Sequence, residues 1–251
     1  FRLPKGVTKK ITSTLSHFWW RGSGNKKGIH WLSWDKVCTP KEEGGLNFRD
    51  LQDFNTALLA KQFWRLLDKP ECLFSKVFKG RYFRNTDHLD DHRSYSSSYG
   101  WRSICSARSL VKKGLIKIVG AGKSISVWTG PWIPAPRSRS AIPKTNTQFL
   151  NPSLKVEHFI NPIDCSWNVD LLNAYIHTDD VKLIRGLAVS RSHNPDTVGW
   201  SFKESGKYSV KSGFRTESLY PDRVHMSNFY GPNVKPLLAF SWKLKCPPKL
   251  R

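Results

Sequence analysis

The sequence has few acidic residues for its length. Only 19 Asp and Glu stand against 41 Lys and Arg in 251 residues, which leaves a formal net charge of +22. Solubility needs a much smaller excess of one sign, so a charge of this size favours a polyanionic partner.

Long apolar runs are also absent. Because a membrane-spanning helix needs about 18 or more consecutive apolar residues, we expect no membrane partner. Aromatic residues are plentiful instead, with 11 Trp, 7 Tyr and 14 Phe interspersed among the basic ones. That mixture is typical of nucleic-acid-binding surfaces and predicts nucleic acid as the partner. A basic protein without such a partner is the alternative.

Cysteine is sparse. The five cysteines are far apart, include no C-x-x-C pair and are odd in number. Neither a disulfide framework nor a zinc site is therefore expected, and a reducing, intracellular compartment is favoured. The first residues, FRLPKGVTKK, lack an initiator Met and the apolar core of a signal peptide. We therefore expect the chain to be cut from a longer protein.

The apolar residues predict a mainly helical α+β fold with irregular connectors. They make up 39% of the chain, which is enough to build a core. Helical spacing is clearest from about Asp50 to Pro70, and in the next helix it predicts Leu73, Val77 and Phe78 to face inward. The predicted helices cover residues 7–21, 50–69, 71–82, 101–113, 167–172 and 179–184.

Two segments have the alternating apolar pattern of small β-hairpins. Each has apolar residues at every second position on both sides of a turn. The first places Ile116 and Ile118 before the turn GAGKS and Ile125 and Val127 after it, and the second places Trp200 and Phe202 before residues 204–207 and Tyr208 and Val210 after them.

Several groups imitate catalytic or metal sites. The pair Asp90–Asp91 lacks flanking strand sequence, and Asp179–Asp180 fits the positive end of a helix, so solvation and capping are preferred to divalent metal binding. The pair His88 and His92 has zinc-like spacing but no third ligand nearby. Cys38 has no identifiable base partner that would activate it.

The segment GAGKS, residues 120–124, imitates a phosphate-binding loop. That loop needs a glycine five residues before the Gly122–Lys123 pair, and Lys117 stands there instead. We interpret the segment as a hairpin turn with Lys123 as a phosphate contact. A phosphate-handling enzyme built on this motif is the less favoured hypothesis.

Several motifs occur in a fixed order along the chain: HWLSWDKVCTPKEEGGLNFRDLQDFNTALLAKQFWRLL, KGRYF, SYGWRSICSARSLVKKGL, GAGKSISVWTGPWIP, GKYSVKSGF and WKLKCPPK. Together they resemble the region downstream of the polymerase domain in plant non-LTR (LINE-type) retrotransposon reverse transcriptases. The resemblance covers nearly the whole chain.

The resemblance implies four regions. Residues 1–98 would form a helical thumb-like region, 99–135 a helix plus β-hairpin, 136–198 a Pro-rich connector with short helices, and 199–251 the truncated start of a zinc-binding reverse-transcriptase module. In that family the acidic metal motif lies upstream of this region, and the zinc ligands follow the WKLKCPPK motif.

The same resemblance implies a function. The parent protein would be an RNA-directed DNA polymerase of the nucleus that uses Mg for polymerisation and Zn in the module. This chain is then expected to hold no cofactor and no catalytic or metal-binding residue. It is expected to bind an RNA/DNA hybrid or duplex DNA through contacts to the nucleic-acid backbone. Its other partners would be the missing polymerase and zinc-binding domains.

The candidate nucleic-acid contacts are basic residues for phosphates and tryptophans for stacking on bases. They are Lys9, Lys10, Arg21, Lys26, Lys27, Trp31, Trp34, Lys61, Arg65, Lys76, Lys79, Arg81, Arg84, Lys112, Lys113 and Lys123. Contacts of this kind predict binding that does not depend on the base sequence of the nucleic acid. The alternative is a decayed or host-retained fragment that acts by protein contact or has no function.

Overall fold

A computed structural model describes residues 1–21, 28–41, 44–83, 89, 97–144, 151–190, 192 and 194–219. Within these residues the helices are α1 (Lys5–Trp19), α2 (Trp34–Cys38), α3 (Leu51–Asp68), α4 (Leu73–Tyr82), α5 (Tyr99–Cys105), α6 (Arg108–Gly114), α7 (Val169–Tyr175), α8 (Thr178–Arg185) and α9 (Val210–Leu219). The strands are β1 (Leu115–Ile118) and β2 (Thr197–Trp200), and a 3-10 helix covers Val156–Phe159. The mainly helical α+β class is confirmed.

Helix α3 is the centre of the first hydrophobic core. It begins after Asp50, whose carboxylate accepts hydrogen bonds from the backbone N–H groups of Gln52 and Asp53 at 2.8 and 3.0 Å. The sequence predicts a start at Asn47 with Asp50 three residues later, so the cap lies three residues beyond the predicted one. Its buried face packs against α5, α6 and α9. Trp64 on that face contacts Trp200 and Tyr208, with ring centroids 5.8 and 5.9 Å apart.

The two strands form one antiparallel sheet. Leu115 pairs with Trp200 and Ile118 with Thr197. The prediction of two local hairpins is therefore wrong. The first strand of one predicted hairpin, β1, pairs with the first strand of the other, β2, about 80 residues later in the chain. Alternating apolar residues show that a segment is extended, but they do not identify the strand that it pairs with.

The segment that was predicted to complete the first hairpin belongs to a second core instead. Ile125 and Val127 are fully buried, and the carbonyl of Ile125 accepts a hydrogen bond from the Val156 N–H group at 3.0 Å. This core lies between β1 and β2 in sequence. Its buried hydrophobic residues are Val119, Ile125, Val127, Trp132, Ile133, Ala141, Val156, Phe159, Leu172, Ile176, Val181 and Ile184.

Most predicted helices are found with small shifts at their ends, but two details are wrong. The helix predicted over residues 101–113 is divided into α5 and α6 by a turn at Ser106 and Ala107. On α4, Leu73 and Val77 were predicted to face inward but are 79% and 56% exposed. The inward face consists of Ser75 and the aromatic side chains on either side of it, which pack towards Trp101.

The Tyr208 side chain joins the C-terminal part of the first core to α3. Its hydroxyl donates a 2.8 Å hydrogen bond to the backbone carbonyl of Ala57, and burial of the ring raises the pKa of this hydroxyl above its ordinary value. We predict that Tyr208→Phe lowers the free energy of unfolding by about 1 to 2 kcal/mol, because a buried acceptor loses its partner.

Urea unfolding measures this change, and Tyr99→Phe is a matched control. The Tyr99 hydroxyl donates to the carbonyl of Arg2 on the surface, so its loss is expected to change the free energy by less than about 0.5 kcal/mol. Equal effects of the two substitutions would contradict the assignment of a structural role to Tyr208.

Candidate nucleic-acid interface

The junction between α3 and α4 brings several predicted phosphate contacts together. The Ser75 hydroxyl lies within hydrogen-bonding distance of the carbonyls of Lys69 and Arg65, at 2.7 and 3.3 Å, and so holds the start of α4 against the end of α3. The Arg65 guanidinium lies over the Phe74 ring, 5.2 Å from its centroid. Lys61 is exposed one helical turn before Arg65.

Helix α4 carries cations on both edges of its exposed face. At 100° per residue, Lys76 and Lys79 lie on one edge, while Arg81 lies on the other edge, where Phe74 meets Arg65. The exposed residues between the edges are Leu73, Val77 and Gly80. We call the surface formed by Lys61, Arg65, Lys76, Lys79 and Arg81 the basic α3–α4 face.

Two exposed carboxylates lie at this face, Asp68 at the end of α3 and Glu71 before α4. Glu71 pairs with Lys76 at 3.2 Å, and their side chains are 87% and 61% exposed. An ion pair in that much water contributes little free energy, so a phosphate group can compete with Glu71 for the Lys76 ammonium. Arg65 and Arg81 contact aromatic rings, which leaves their positive charge in place.

The two remaining candidates on a helix, Lys112 and Lys113, differ in their exposure to solvent. Lys112 is exposed on α6. Its neighbour Lys113 forms an ion pair with Glu217 of α9 at 3.3 Å, and both side chains are largely covered, at 13% and 16% exposure. This pair links α6 to α9, so Lys113 contributes to the packing of the helices.

The N-terminal candidates lie on or near α1. Lys9, Lys10 and Arg21 are exposed. Trp31 is 75% exposed, whereas Trp34 is half-buried and packs against Phe48 with ring centroids 5.6 Å apart. Of the two tryptophans, Trp31 thus presents more of its ring for stacking on a base. The candidates Lys26, Lys27 and Arg84 lie outside the described residues.

The segment GAGKS forms a loop of backbone N–H groups that already holds an anion from the protein itself. The Asp196 carboxylate accepts hydrogen bonds from the backbone N–H groups of Gly120, Gly122 and Ser124 at 2.8, 2.7 and 2.7 Å. It accepts a fourth from the Ser124 hydroxyl at 2.8 Å. Lys123 is exposed beside it. The donors that a phosphate would use are thus directed at Asp196.

The backbone of this loop explains its glycines. Gly122 has a positive φ of 75°, and a Cβ atom there would lie 2.5 Å from the backbone nitrogen of Glu157. A Cβ atom on Gly120 would lie 2.2 Å from the carbonyl oxygen of Asn194. The glycines therefore serve close packing of the backbone as well as the tight turn.

Asp196 was not identified from the sequence. It lies more than 70 residues from its donors, and no local pattern links it to them. Burial disfavours its charged form, but the hydrogen bonds from Ser124, Gly120 and Gly122 outweigh this effect and lower the pKa of the carboxyl group. In the sequence, the GAGKS motif alone indicates that an anion is bound at this loop.

The pair Asp179–Asp180 lies in the first turn of α8, as predicted. Asp180 is fully buried and accepts hydrogen bonds from the Arg139 guanidinium and, at 2.8 Å, from the Ile142 N–H group. Burial raises the pKa of Asp180, but the hydrogen bonds from these two donors prevail and lower it. Its role is to join α8 to the irregular segment that contains Arg139.

Cys38 is poorly suited to act as a nucleophile. Burial, followed by the negative charges of Asp50 and Asp35, raises the pKa of its thiol to about 12, so the thiolate is scarce at neutral pH. Within the described ranges, no three His, Cys, Asp or Glu side chains are grouped so that they could hold a metal ion. The residues His88, Asp90, Asp91 and His92 lie outside those ranges.

Comparison with known proteins identifies plant relatives. The chain is 43% identical over 134 residues to the uncharacterized mitochondrial protein AtMg00310 of Arabidopsis thaliana, and the match covers 53% of this chain and 87% of that protein. The chain belongs to the family of this mitochondrial protein. No family model and no solved structure matches it.

A second relative is longer than the chain. The protein named "Putative ribonuclease H protein At1g65750", also from Arabidopsis thaliana, is 27% identical over 268 residues, and the match covers 99% of this chain and 39% of that protein. This chain thus spans well under half of that relative. Together the two relatives support the coarser part of the sequence prediction, a retroelement-related plant family. None of the described helices is both long and apolar enough to cross a membrane.

The four hydrogen bonds to Asp196 lead to a prediction about stability and pH. We expect Asp196→Asn to lower the free energy of unfolding by about 2 to 3 kcal/mol at pH 7, because the amide NH2 group would face donors of the loop. The folded-state pKa of Asp196 lies below its ordinary value of 3.8. The stabilisation is therefore full well above pH 3.8 and is lost as the pH falls through the folded-state pKa.

Urea unfolding at several pH values tests this prediction, and the exposed Asp68 supplies the control variant Asp68→Asn. The difference between the wild type and Asp196→Asn should narrow towards acid pH, while Asp68→Asn should stay within about 0.5 kcal/mol of the wild type. A difference that does not vary with pH would show that the Asp196 charge is not responsible.

Proposed function

We propose that the chain is a catalytically inactive part of a LINE-type retroelement reverse transcriptase that binds nucleic acid. Its basic α3–α4 face would contact the phosphates of an RNA/DNA hybrid or of duplex DNA, without reading the sequence. The parent protein would be an RNA-directed DNA polymerase of the nucleus. Mg and Zn would be bound in the parent's polymerase and zinc-binding domains.

The observation that carries this proposal is the arrangement of Lys61, Arg65, Lys76, Lys79 and Arg81 on two packed helices. Cations that two packed helices present on one surface attract a polyanion more strongly than the same number of scattered charges, because several of them can contact neighbouring phosphates. The net charge of +22 supports the same partner through long-range attraction. The family relationship and the ordered motifs support the retroelement origin.

The lack of catalysis is proposed from the chemistry of the groups that imitate active sites. The GAGKS donors are directed at Asp196, Asp180 is bound to Arg139, and the Cys38 thiol has a raised pKa. Each of these groups thus has a structural partner or lacks the reactive form. Backbone contact is therefore the activity that the described surface supports best.

A salt titration of binding tests the proposed face. We predict that Lys76→Ala/Lys79→Ala/Arg81→Ala reduces the slope of log affinity against log salt by about 3 on duplex DNA, because each lost phosphate contact removes about 0.9 from the slope. Fluorescence anisotropy with labelled duplex DNA, RNA/DNA hybrid and single strands measures the affinities. We expect duplex and hybrid to bind more tightly than single strands.

A control variant separates local contacts from net charge. Arg185→Ala/Lys203→Ala/Lys207→Ala removes the same charge from exposed positions on neither α3 nor α4, and its salt slope should equal that of the wild type. If the two triple variants lose affinity equally, binding depends only on total charge. If the folded wild type does not bind at low salt, the proposed function is wrong.

A further inference from the structure

Helix α1 has an apolar stripe that the described residues leave uncovered. Val7, Ile11 and Leu15 recur four residues apart and are 40 to 44% exposed, and Phe18 continues the stripe at 76% exposure. Side chains with this spacing lie on one side of a helix. The stripe extends for about 17 Å, which is three helical turns.

The packed side of α1 adjoins the stripe and is mainly polar. Thr8 and Ser16 are the buried residues of this helix. The Gln52 side-chain amide at the start of α3 donates a hydrogen bond to the Thr8 hydroxyl, and the Ser16 hydroxyl lies 3.3 Å from Nδ1 of His30. Trp19 adds one aromatic contact, with its ring centroid 4.9 Å from that of Phe48. The described residues thus leave the apolar stripe only partly covered.

Exposed apolar side chains continue beyond α1 at both ends of the stripe. Phe1 is exposed before the helix and stacks against Tyr99 with ring centroids 5.8 Å apart. Ile29 and Trp31 are exposed on either side of His30, whose ring lies 5.1 Å from that of His17 near the end of α1. These residues enlarge the stripe into an apolar surface, which commonly marks an interaction site.

The charges along the outer edge of the stripe are positive. The acidic residues Asp35 and Asp50 lie beside the packed, polar side of α1. On α1, Lys10 and His17 lie along the edge of the stripe that faces away from Thr8 and Ser16. A partner for this surface should therefore combine apolar side chains with negative charges beside them.

We propose that the α1 stripe docks an acidic amphipathic helix of a partner protein. Val7, Ile11, Leu15 and Phe18 would pack against its apolar side, and Lys10 and Arg21 would face its carboxylates. Nucleic acid has no aliphatic surface that could cover Val7, Ile11 and Leu15. A second copy of the chain would bring its own charge of +22 and repel the first.

The depth of the stripe favours a helix over a lipid bilayer. Val7, Ile11 and Leu15 are each more than half covered. They therefore form a shallow groove into which a ridge of side chains on a second helix can pack. An interfacial helix buries its apolar face about 5 to 10 Å into the bilayer, and side chains that the protein already covers by more than half cannot insert that far. This docking site is independent of the proposed nucleic-acid contact, since it uses different residues on a different helix.

A synthetic peptide tests the proposal with the full chain. The probe is a fluorescein-labelled helix of about 20 residues, with leucines at every third or fourth position and glutamates beside them. We expect it to bind the wild type, and to bind Ile11→Glu/Leu15→Glu at least about tenfold more weakly. A peptide with glutamine in place of every leucine should not bind.

The matched control places the same charges elsewhere. Leu73→Glu/Val77→Glu changes two exposed aliphatic residues on α4 and should leave the peptide affinity unchanged. Thermal unfolding followed by circular dichroism verifies that each variant is folded, and a peptide with lysine in place of glutamate should bind Ile11→Glu/Leu15→Glu more tightly than the wild type.

Four outcomes would overturn the proposal. The first is no peptide binding by the wild type, and the second is equal losses of affinity in the two double variants. The third is that phosphatidylserine vesicles or oligonucleotides, and not the peptide, lose affinity for Ile11→Glu/Leu15→Glu. The fourth is self-association of the wild type in sedimentation that this variant abolishes, which would identify a second copy as the occupant.

Discussion

The Asp196 carboxylate and the N–H groups of the GAGKS loop form the contact on which the arrangement of the two cores depends. The chain leaves the first core at β1 and enters the second core at Val119. It returns at Asp196, directly before β2. Four hydrogen bonds to the Asp196 carboxylate join the segment that follows β1 to the segment that precedes β2. They favour the strand register that places Trp200 opposite Leu115 in the first core.

Buried or half-buried acidic side chains are used in the same way elsewhere. Asp180 binds Arg139 and the Ile142 N–H group, and Glu217 binds Lys113 between two helices. Each of these acids stabilises a contact between distant segments. Each of these two ion pairs removes one cation and one anion, so the rest of the protein keeps the full excess of cations. The basic α3–α4 face is one part of that excess.

The two proposed surfaces have different chemistry because they lie on differently packed helices. Helix α4 packs through Ser75 and its aromatic residues, which leaves its cations in solvent. Helix α1 packs through the hydroxyl groups of Thr8 and Ser16 and through Trp19, which leaves its aliphatic residues partly in solvent. Both contact α3. A rigid central helix can thus position a surface for a polyanion and a surface for a protein segment on one small protein.

The sequence by itself determined most of the helices and their approximate ends, because these depend on residues three or four positions apart. It also determined the charge imbalance and the motif order. Only the tertiary structure decided that β1 pairs with β2, that Asp196 fills the GAGKS loop, and that Val7, Ile11, Leu73 and Val77 face solvent. These features depend on contacts between segments far apart in the chain, which the spacing of neighbouring residues does not encode.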